Sequence, residues 1–421
     1  MLLKVLSLNS ISVGISLVLG LFSSKIVSVF LGTSGMALLG SFRNFSGMSK
    51  SLATLGINSS VIKLFTENKE NQKELSVIFS TFFWIFLAIS SFLAICIFLF
   101  SSVISRFLFF ESLYTNSIQF FGLLLPLIVM NVFWISIYNA LEKFKKIILI
   151  QMISNVAIFL IAAILIWKFN IEGALYSIVF GEIAAVVITF LFIRKDNYFK
   201  FNLQKLISKK YLIIIKKFSV MSLLSAILVP FTLIFIRNMI VTNYSINQAG
   251  IWDALNRLSV FYMLLFSSGL SMYYMPRLAS IHSDYEFRKE LIQYFKIIFP
   301  LFFVMILFIY FARDIIISIA FTIEFSKISE ILIWQLLGDL IRIATLAFGY
   351  QILVKTQVKR YFLVELFFNS TYFLFSLFLI SSQAIEGVLK AYFFANLLTL
   401  ILILFLFRKI MLNSPNKGLN V

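Results

Sequence analysis

Three cationic side chains, Lys25, Arg43 and Lys50, lie within the apolar stretch from Leu21 to Lys63. Counting along the helix from the break at 32–35, at about 1.5 Å per residue, places Lys25 and Arg43 roughly 12 to 15 Å deep in a bilayer core of about 30 Å. Arg43 and Lys50 are seven residues apart and share one helix face. Guanidinium and ammonium groups bind phosphate well, so the chemistry that this pattern predicts is anion binding within a membrane.

Charged groups in hydrocarbon need a partner or a water-filled cavity, because desolvation costs several kcal/mol per ion. Asp253 with Arg257, and Asp339 with Arg342, are spaced to pair on their own helices. Seven cations fall in apolar runs against four anions, which leaves three positive charges in surplus. The cations are Lys25, Arg43, Lys50, Arg237, Arg257, Arg342 and Lys390, and the anions are Glu182, Asp253, Asp339 and Glu365.

This surplus predicts a cavity for an anion, although the cations could instead reach an interface along their aliphatic stems. Glu182 and Glu365 could pair with the cations or carry protons. The predicted anion-binding residues are Lys25, Arg43, Lys50, Arg237 and Arg257. The predicted ion-pair or coupling residues are Asp253, Asp339, Arg342, Glu182 and Glu365.

The elements that must position these charges are membrane helices. The chain of 421 residues is 61% hydrophobic and 13% charged, with a mean hydropathy of +1.00, which a soluble domain could not bury. Its net charge of +18 comes from Lys and Arg in short connectors between apolar runs, so we expect no nucleic-acid partner. These values predict an all-α, polytopic membrane protein.

Several chemistries are excluded by residues that the chain lacks. Cys96 is the only cysteine, so no disulfide and no cysteine metal site can form within the chain, and we expect no metal. The only histidine, His282, lies in a charged connector, so a Ser/His/Asp set within the membrane is impossible. No GxxxxGK segment occurs, which excludes Walker-type ATP hydrolysis. We expect no cofactor, with proton or cation coupling as the open alternative.

Twelve apolar runs are long enough to span a membrane. Most Lys and Arg residues lie in the connectors on one side, whereas the other side holds only Arg106, Lys168, Arg313 and Lys327. This bias predicts cytoplasmic N- and C-termini. The N-terminal run has a single Lys4 and no small-residue cleavage site, which predicts a first helix that is retained. The predicted spans are 5–31, 36–63, 77–101, 117–141, 147–167, 173–193, 218–242, 250–276, 297–312, 331–354, 361–380 and 387–407.

The longest polar segment separates six spans from six. We therefore predict an N-terminal lobe at 1–194, a C-terminal lobe at 217–412 and a cytoplasmic tail at 413–421. The basic linker between them, 195–216, would lie on anionic inner-leaflet lipids, or would be a solvated loop.

Glycines and cations recur in the same order in the two halves, which predicts a parallel internal repeat. Pro230 lies mid-span and predicts a hinge, or a static kink. The corresponding residues are Lys25, Gly35, Arg43, Gly56 and Lys63 in the first half and Arg237, Gly250, Arg257, Gly269 and Arg277 in the second.

Three segments carry a family resemblance: SFRNF at 41–45, the run 250–252, and WQLLGDLIRIATLAFGYQILVK at 334–355. They resemble the Wzx-type O-antigen flippases of the multidrug/oligosaccharidyl-lipid/polysaccharide (MOP) exporter superfamily. The resemblance implies two six-helix lobes in a V around a central cavity, which alternates between inward-open and outward-open forms.

The resemblance also implies a transporter rather than an enzyme, which moves an undecaprenyl-pyrophosphate-linked oligosaccharide from the cytoplasmic to the periplasmic leaflet of the bacterial inner membrane. Lys25, Arg43 and Arg257 would bind the pyrophosphate, with Arg237 and Lys50 in support. An O-antigen polymerase and a chain-length regulator are expected partners of a monomeric transporter. Asp339 and Glu365 match acidic positions in the family.

Other functions stay open at this stage. A lipid II-like exporter would share this chemistry, whereas an exporter of drugs or cations would need a net acidic cavity. A polysaccharide polymerase or ligase would need a sizeable outer loop, and the longest outer connector, 102–116, holds only Arg106 and Glu111 as charged residues.

Overall fold

The structure is a computed structural model that describes residues 2–56, 58–196, 203, 208–281 and 283–412. The predicted tail, residues 197–202 and 204–207 of the predicted linker, and His282 lie outside the described residues. Two compact units are present, Met1–Ile234 and Phe235–Val421, and the division between them falls within one helix.

The first unit contains six helices and the start of a seventh. These are α1 (Leu2–Ala53), α2 (Asn58–Glu67), α3 (Gln72–Leu99), α4 (Ser101–Phe109), α5 (Thr115–Ala140), α6 (Phe144–Arg194) and α7 (Lys209–Asn243).

The second unit contains the end of α7 and six further helices. These are α8 (Ile246–Gly269), α9 (Met275–Ser280), α10 (Asp284–Phe311), α11 (Arg313–Ala320), α12 (Lys327–Val354) and α13 (Val358–Leu412). A π-helical turn, Leu270–Tyr274, joins α8 to α9.

The three longest helices each contain a sharp break in helical backbone. The break lies at Gly32 in α1 (φ 62°, ψ −158°), at Asn170 in α6 (φ 49°, ψ −127°) and at Ala384 in α13 (φ 52°, ψ −134°). Among the described residues, eight helices are long and apolar enough to cross a membrane. Three of these are broken helices that provide two spans each, which gives eleven spans. The twelfth is α8 with its continuation, which matches the predicted run at 250–276. The prediction of an all-α protein with twelve spans is therefore confirmed.

Two of these breaks share one local geometry. A Cβ atom added at Gly173 would lie 1.9 Å from the carbonyl oxygen of Leu165, and one added at Gly387 would lie 2.4 Å from that of Leu379. Each glycine follows its break by three residues, and each carbonyl precedes it by five. The tight approach of the two helical arms therefore requires glycine at both positions.

The element order repeats between the units. A span, a short helix, a span and a broken double span follow one another as α3–α4–α5–α6 and again as α10–α11–α12–α13. Together with the shared break geometry, this order supports the internal duplication that the sequence suggested.

Some predicted boundaries are wrong. The second span ends at Ala53 instead of residue 63, because Leu55 and Gly56 adopt left-handed backbone. The third and ninth spans begin well before their predicted starts, since Asn71 and Ser283 cap α3 and α10 by accepting hydrogen bonds from the N–H groups of Glu74 and Glu286. These capping residues are visible in the sequence.

Candidate functional site

Lys25 and Arg43 lie on the two arms of α1, on either side of the Gly32 break, and both are half-buried. The arm that carries Arg43 is anchored by its neighbours. Ser41 donates a hydrogen bond to the carbonyl oxygen of Leu108 over 2.9 Å, and the Phe42 ring is fully buried. This anchoring holds the α1 backbone at the depth of Arg43 in place.

Lys50 forms an ion pair with Glu182. Its ammonium nitrogen lies 2.5 Å from a carboxylate oxygen of Glu182, and the two side chains are 29% and 24% exposed. The pair joins the second arm of α1 to the second arm of α6. The sequence left two roles open for Glu182, pairing with a cation or carrying a proton. The structure shows that Glu182 pairs with Lys50.

Arg237 and Asp253 form a buried pair at the start of the second unit. The Arg237 guanidinium lies 3.4 Å from the Asp253 carboxylate, and the side chains are 2% and 8% exposed. The sequence paired Asp253 with Arg257 on the same helix, whereas the structure places it against Arg237 on α7. The reason is that α7 and α8 meet at a short turn, which brings a cation from the neighbouring helix to the carboxylate.

Several hydrogen-bond donors around this pair are buried without a hydrogen-bond partner. They are Nε and Nη2 of Arg237 and Nε and Nη1 of Arg257. The ion pair itself lacks hydrogen-bond geometry, since Nε of Arg237 belongs to this set. Buried donors are normally satisfied, so such a concentration calls for an acceptor. With two guanidinium groups and one carboxylate, this cluster keeps a net positive charge and suits an anion.

Asp339 is fully buried and accepts four hydrogen bonds from three helices. Its Oδ2 accepts from Ser259 over 2.6 Å, from Gln335 over 3.3 Å and from the Tyr262 hydroxyl; its Oδ1 accepts from the Tyr392 hydroxyl over 2.7 Å. The Arg342 guanidinium lies 3.4 Å from the same Tyr392 oxygen, so the pair predicted between Asp339 and Arg342 is bridged by a tyrosine. A carboxylate with this many donors is well suited to joining α8, α12 and α13.

The remaining predicted residues are Glu365, whose carboxylate interacts electrostatically with Arg342, and Pro230. Glu365 is half-buried in α13. Pro230 lies inside α7, four residues before the first unit ends at Ile234. Within the described residues, no group of three or more His, Cys, Asp or Glu side chains could hold a metal ion.

Sequence reasoning missed one polar cluster beside the Ala384 break. The Lys390 ammonium lies 2.8 Å from Glu386 and 2.6 Å from the Gln383 amide oxygen, and 5.1 Å from the centre of the Trp334 ring. The Trp334 indole donates to Glu386 over 3.2 Å. The i, i+4 spacing of Glu386 and Lys390 could have revealed this pair, but the predicted span began one residue after Glu386.

Comparison with solved structures defines the class of protein. The backbone is similar to an inward-facing multidrug resistance MATE family transporter of the MOP superfamily, with a TM-score of 0.78, 13% identity and 94% of each chain covered. It is also similar to the lipid II flippase MurJ in an inward closed conformation, with a TM-score of 0.77, 16% identity, and 95% of this chain and 87% of that one covered. The chain therefore has the fold of MOP superfamily membrane proteins, and the resemblance inferred from its sequence is confirmed.

Sequence comparison defines the family. A family model described as polysaccharide biosynthesis protein matches residues 2–282, and the chain belongs to this family. Among characterised relatives, the lipid III flippases of Escherichia coli (strain K12) and Shigella flexneri are each 23% identical over 382 residues, covering 89% of this chain and 90% of theirs.

Proposed function

We propose that this protein is a flippase that carries undecaprenyl-pyrophosphate-linked O-antigen repeat units from the cytoplasmic to the periplasmic leaflet of the bacterial inner membrane. One observation carries the proposal: Arg237 and Arg257 have buried N–H donors without hydrogen-bond partners, next to the single carboxylate of Asp253. A diphosphate supplies the oxygens and the negative charge that such donors require. The names of the relatives support a lipid-linked saccharide as the cargo.

The proposal assigns unequal roles to the predicted binding residues. Lys25, Arg43 and Arg257 would contact the pyrophosphate, with Arg237 in support. Lys50 has the weakest role, because its charge is already balanced by Glu182 at 2.5 Å. These assignments favour an anionic cargo over a cationic drug, which would meet a repulsive net charge.

The transport cycle belongs to the same proposal. Two six-span lobes, residues 1–194 and 217–412, would alternate access with both termini in the cytoplasm, and Pro230 would be a hinge. The basic linker 195–216 would lie on anionic lipids. The monomeric protein would act as a transporter without enzyme activity, and would pass its cargo to a polymerase and a chain-length regulator. Proton or cation coupling would involve Glu365.

Binding of undecaprenyl pyrophosphate to the full-length protein in nanodiscs tests the site. Loss of charge-assisted hydrogen bonds worth about 1.5–3 kcal/mol predicts that Arg257→Gln raises the Kd at least about tenfold. Arg408→Gln removes an exposed arginine near the end of α13 and is the matched control, with an expected Kd equal to that of the wild type. Equal Kd values for all three proteins would refute the assignment of the diphosphate to this cluster.

The sidedness of lipid-linked repeats in a deletion strain tests the reaction. A flippase defect leaves single repeats on the cytoplasmic leaflet, whereas a polymerase defect leaves them exported. Restoration of export by the wild-type gene, but not by Lys25→Ala/Arg43→Ala protein present at normal levels in the membrane, is the expected result. Export in the deletion strain would contradict the proposal.

A further inference from the structure

A cavity of about 660 Å³ lies in the first unit, and none of the predicted anion-binding residues lines it. Its walls come from the end of α3, the first turns of α5, and both arms of α6 around the Asn170 break. The close approach of Gly173 to Leu165 holds the two arms of α6 together at this point. The volume lies in the range of about 300–1,000 Å³ that is common for sites of small ligands.

The polar groups of this cavity are available for a ligand. Asn116, Gln119 and Glu172 line it, and among the described residues none of these three side chains forms a hydrogen bond or an ion pair. Glu172 is the only charged residue in the lining. In a chain with a net charge of +18, this cavity is therefore locally acidic.

Aromatic rings line the same cavity as the carboxylate. Phe120, Tyr176 and Phe180 form one group, with ring centres 5.4 to 6.4 Å apart, and Phe169 lines the same cavity. Aromatic faces and a carboxylate together are the groups that proteins use to bind ammonium ions. The two amide side chains add N–H donors, which suit phosphate oxygens.

The apolar end of the cavity opens towards the region that lipid occupies. Leu123 is 60% exposed and Phe180 is 40% exposed, and both line the cavity. Leu123 lies seven residues along α5 from Asn116, and Phe180 eight along α6 from Glu172, so the apolar walls lie about 10 to 12 Å deeper than the polar groups. The cavity is thus polar at the membrane surface and apolar within the hydrocarbon region.

We infer that this cavity binds a phospholipid with an ethanolamine headgroup. The ammonium would contact Glu172 and the rings of Phe169 and Tyr176, which line the cavity within four residues of it. The phosphate would accept hydrogen bonds from Asn116 and Gln119, and an acyl chain would follow Leu123 and Phe180. Charge complementarity selects this occupant over an anionic lipid, because Glu172 would repel a headgroup with net negative charge. The inference is independent of the proposed cargo.

Native mass spectrometry of the full-length protein tests the site. The protein is mixed with equal amounts of phosphatidylethanolamine, phosphatidylcholine and phosphatidylglycerol that carry identical palmitoyl and oleoyl chains. We expect bound phosphatidylethanolamine to exceed phosphatidylglycerol about fivefold, the ratio that one exposed charged contact would produce. Equal binding of the two lipids, or an excess of phosphatidylglycerol, would overturn the inference.

Matched variants locate the selectivity. Glu172→Gln should bring the ratio of the two lipids close to one, and Glu172→Lys should reverse it. Glu111→Gln removes an exposed carboxylate from the connector between α4 and α5, outside the cavity, and should leave the ratio unchanged. A wild-type ratio in both Glu172 variants would refute the site.

Two further measurements separate the parts of the headgroup. Asn116→Ala/Gln119→Ala should weaken the binding of all three phospholipids alike, since each has a phosphate, and unchanged binding would contradict the role of the amides. Dodecylammonium should displace the bound lipid at least about tenfold more effectively than dodecyl maltoside, which has the same chain and a sugar headgroup. Better displacement by the maltoside would show a saccharide site and overturn the inference.

Discussion

Substitution of Asp339 separates a structural role of this carboxylate from a role in ion coupling. Its four hydrogen bonds come from Ser259, Tyr262, Gln335 and Tyr392, and its side chain has no exposed surface. Interhelical hydrogen bonds in membrane proteins average about 0.6 kcal/mol and reach about 1.7 kcal/mol. Loss of all four in Asp339→Ala, with buried donors left unpaired, predicts destabilisation of about 3 to 5 kcal/mol.

Asp339→Asn is the sharper test, because the amide has nearly the same shape. Its oxygen can still accept hydrogen bonds, but its NH₂ group would face donors, so we expect a smaller loss of about 1 to 2 kcal/mol. The midpoint of thermal unfolding of the protein in detergent should fall in the order wild type, Asn, Ala. Glu70→Gln changes an exposed carboxylate in the turn between α2 and α3 and should leave the midpoint unchanged.

Transport by the folded fraction completes this test. If Asp339 joins helices, Asp339→Asn protein that remains folded should keep most of its transport and the same dependence on pH. An Asp339→Asn variant that is as stable as the wild type but has lost all transport would show that the carboxylate exchanges an ion, and would refute the structural role.

Three further perturbations follow from the structure. Gly387→Ala would place a Cβ 2.4 Å from a backbone carbonyl and should destabilise the protein by about 1 to 3 kcal/mol, whereas Gly349→Ala, which meets nothing within 4 Å, should not lower the unfolding midpoint. Lys50 and Glu182 should show a coupling of about 1 kcal/mol or less in a double-mutant cycle, because both are partly exposed, and the swapped pair should recover it. Burial, together with the neighbouring Glu74 carboxylate, raises the pKa of Tyr211, so the neutral phenol is favoured in the folded state. The free energy of unfolding of the wild type should therefore fall as the pH rises above about 10, whereas that of Tyr211→Phe should not fall for this reason.

The number and approximate positions of the spans could be predicted from the sequence. The hydrocarbon core requires about twenty apolar residues for each crossing, and runs of this length are visible in the sequence. The breaks at Asn170 and Ala384 were located only as gaps between runs. Their positive φ angles depend on the close approach of two arms, in which Gly173 and Gly387 take part.

Which residues are charged, and roughly how deep they lie, was determined by the amino-acid sequence alone. The choice of partners was decided by tertiary structure. Lys50 meets a carboxylate 132 residues away, and Asp253 meets Arg237 rather than the arginine on its own helix. Asn116 and Glu172 line one cavity for the same reason. Helical periodicity specifies the neighbours of a residue within its own helix. The packing of helices against one another determines which residues of other helices each charged side chain contacts.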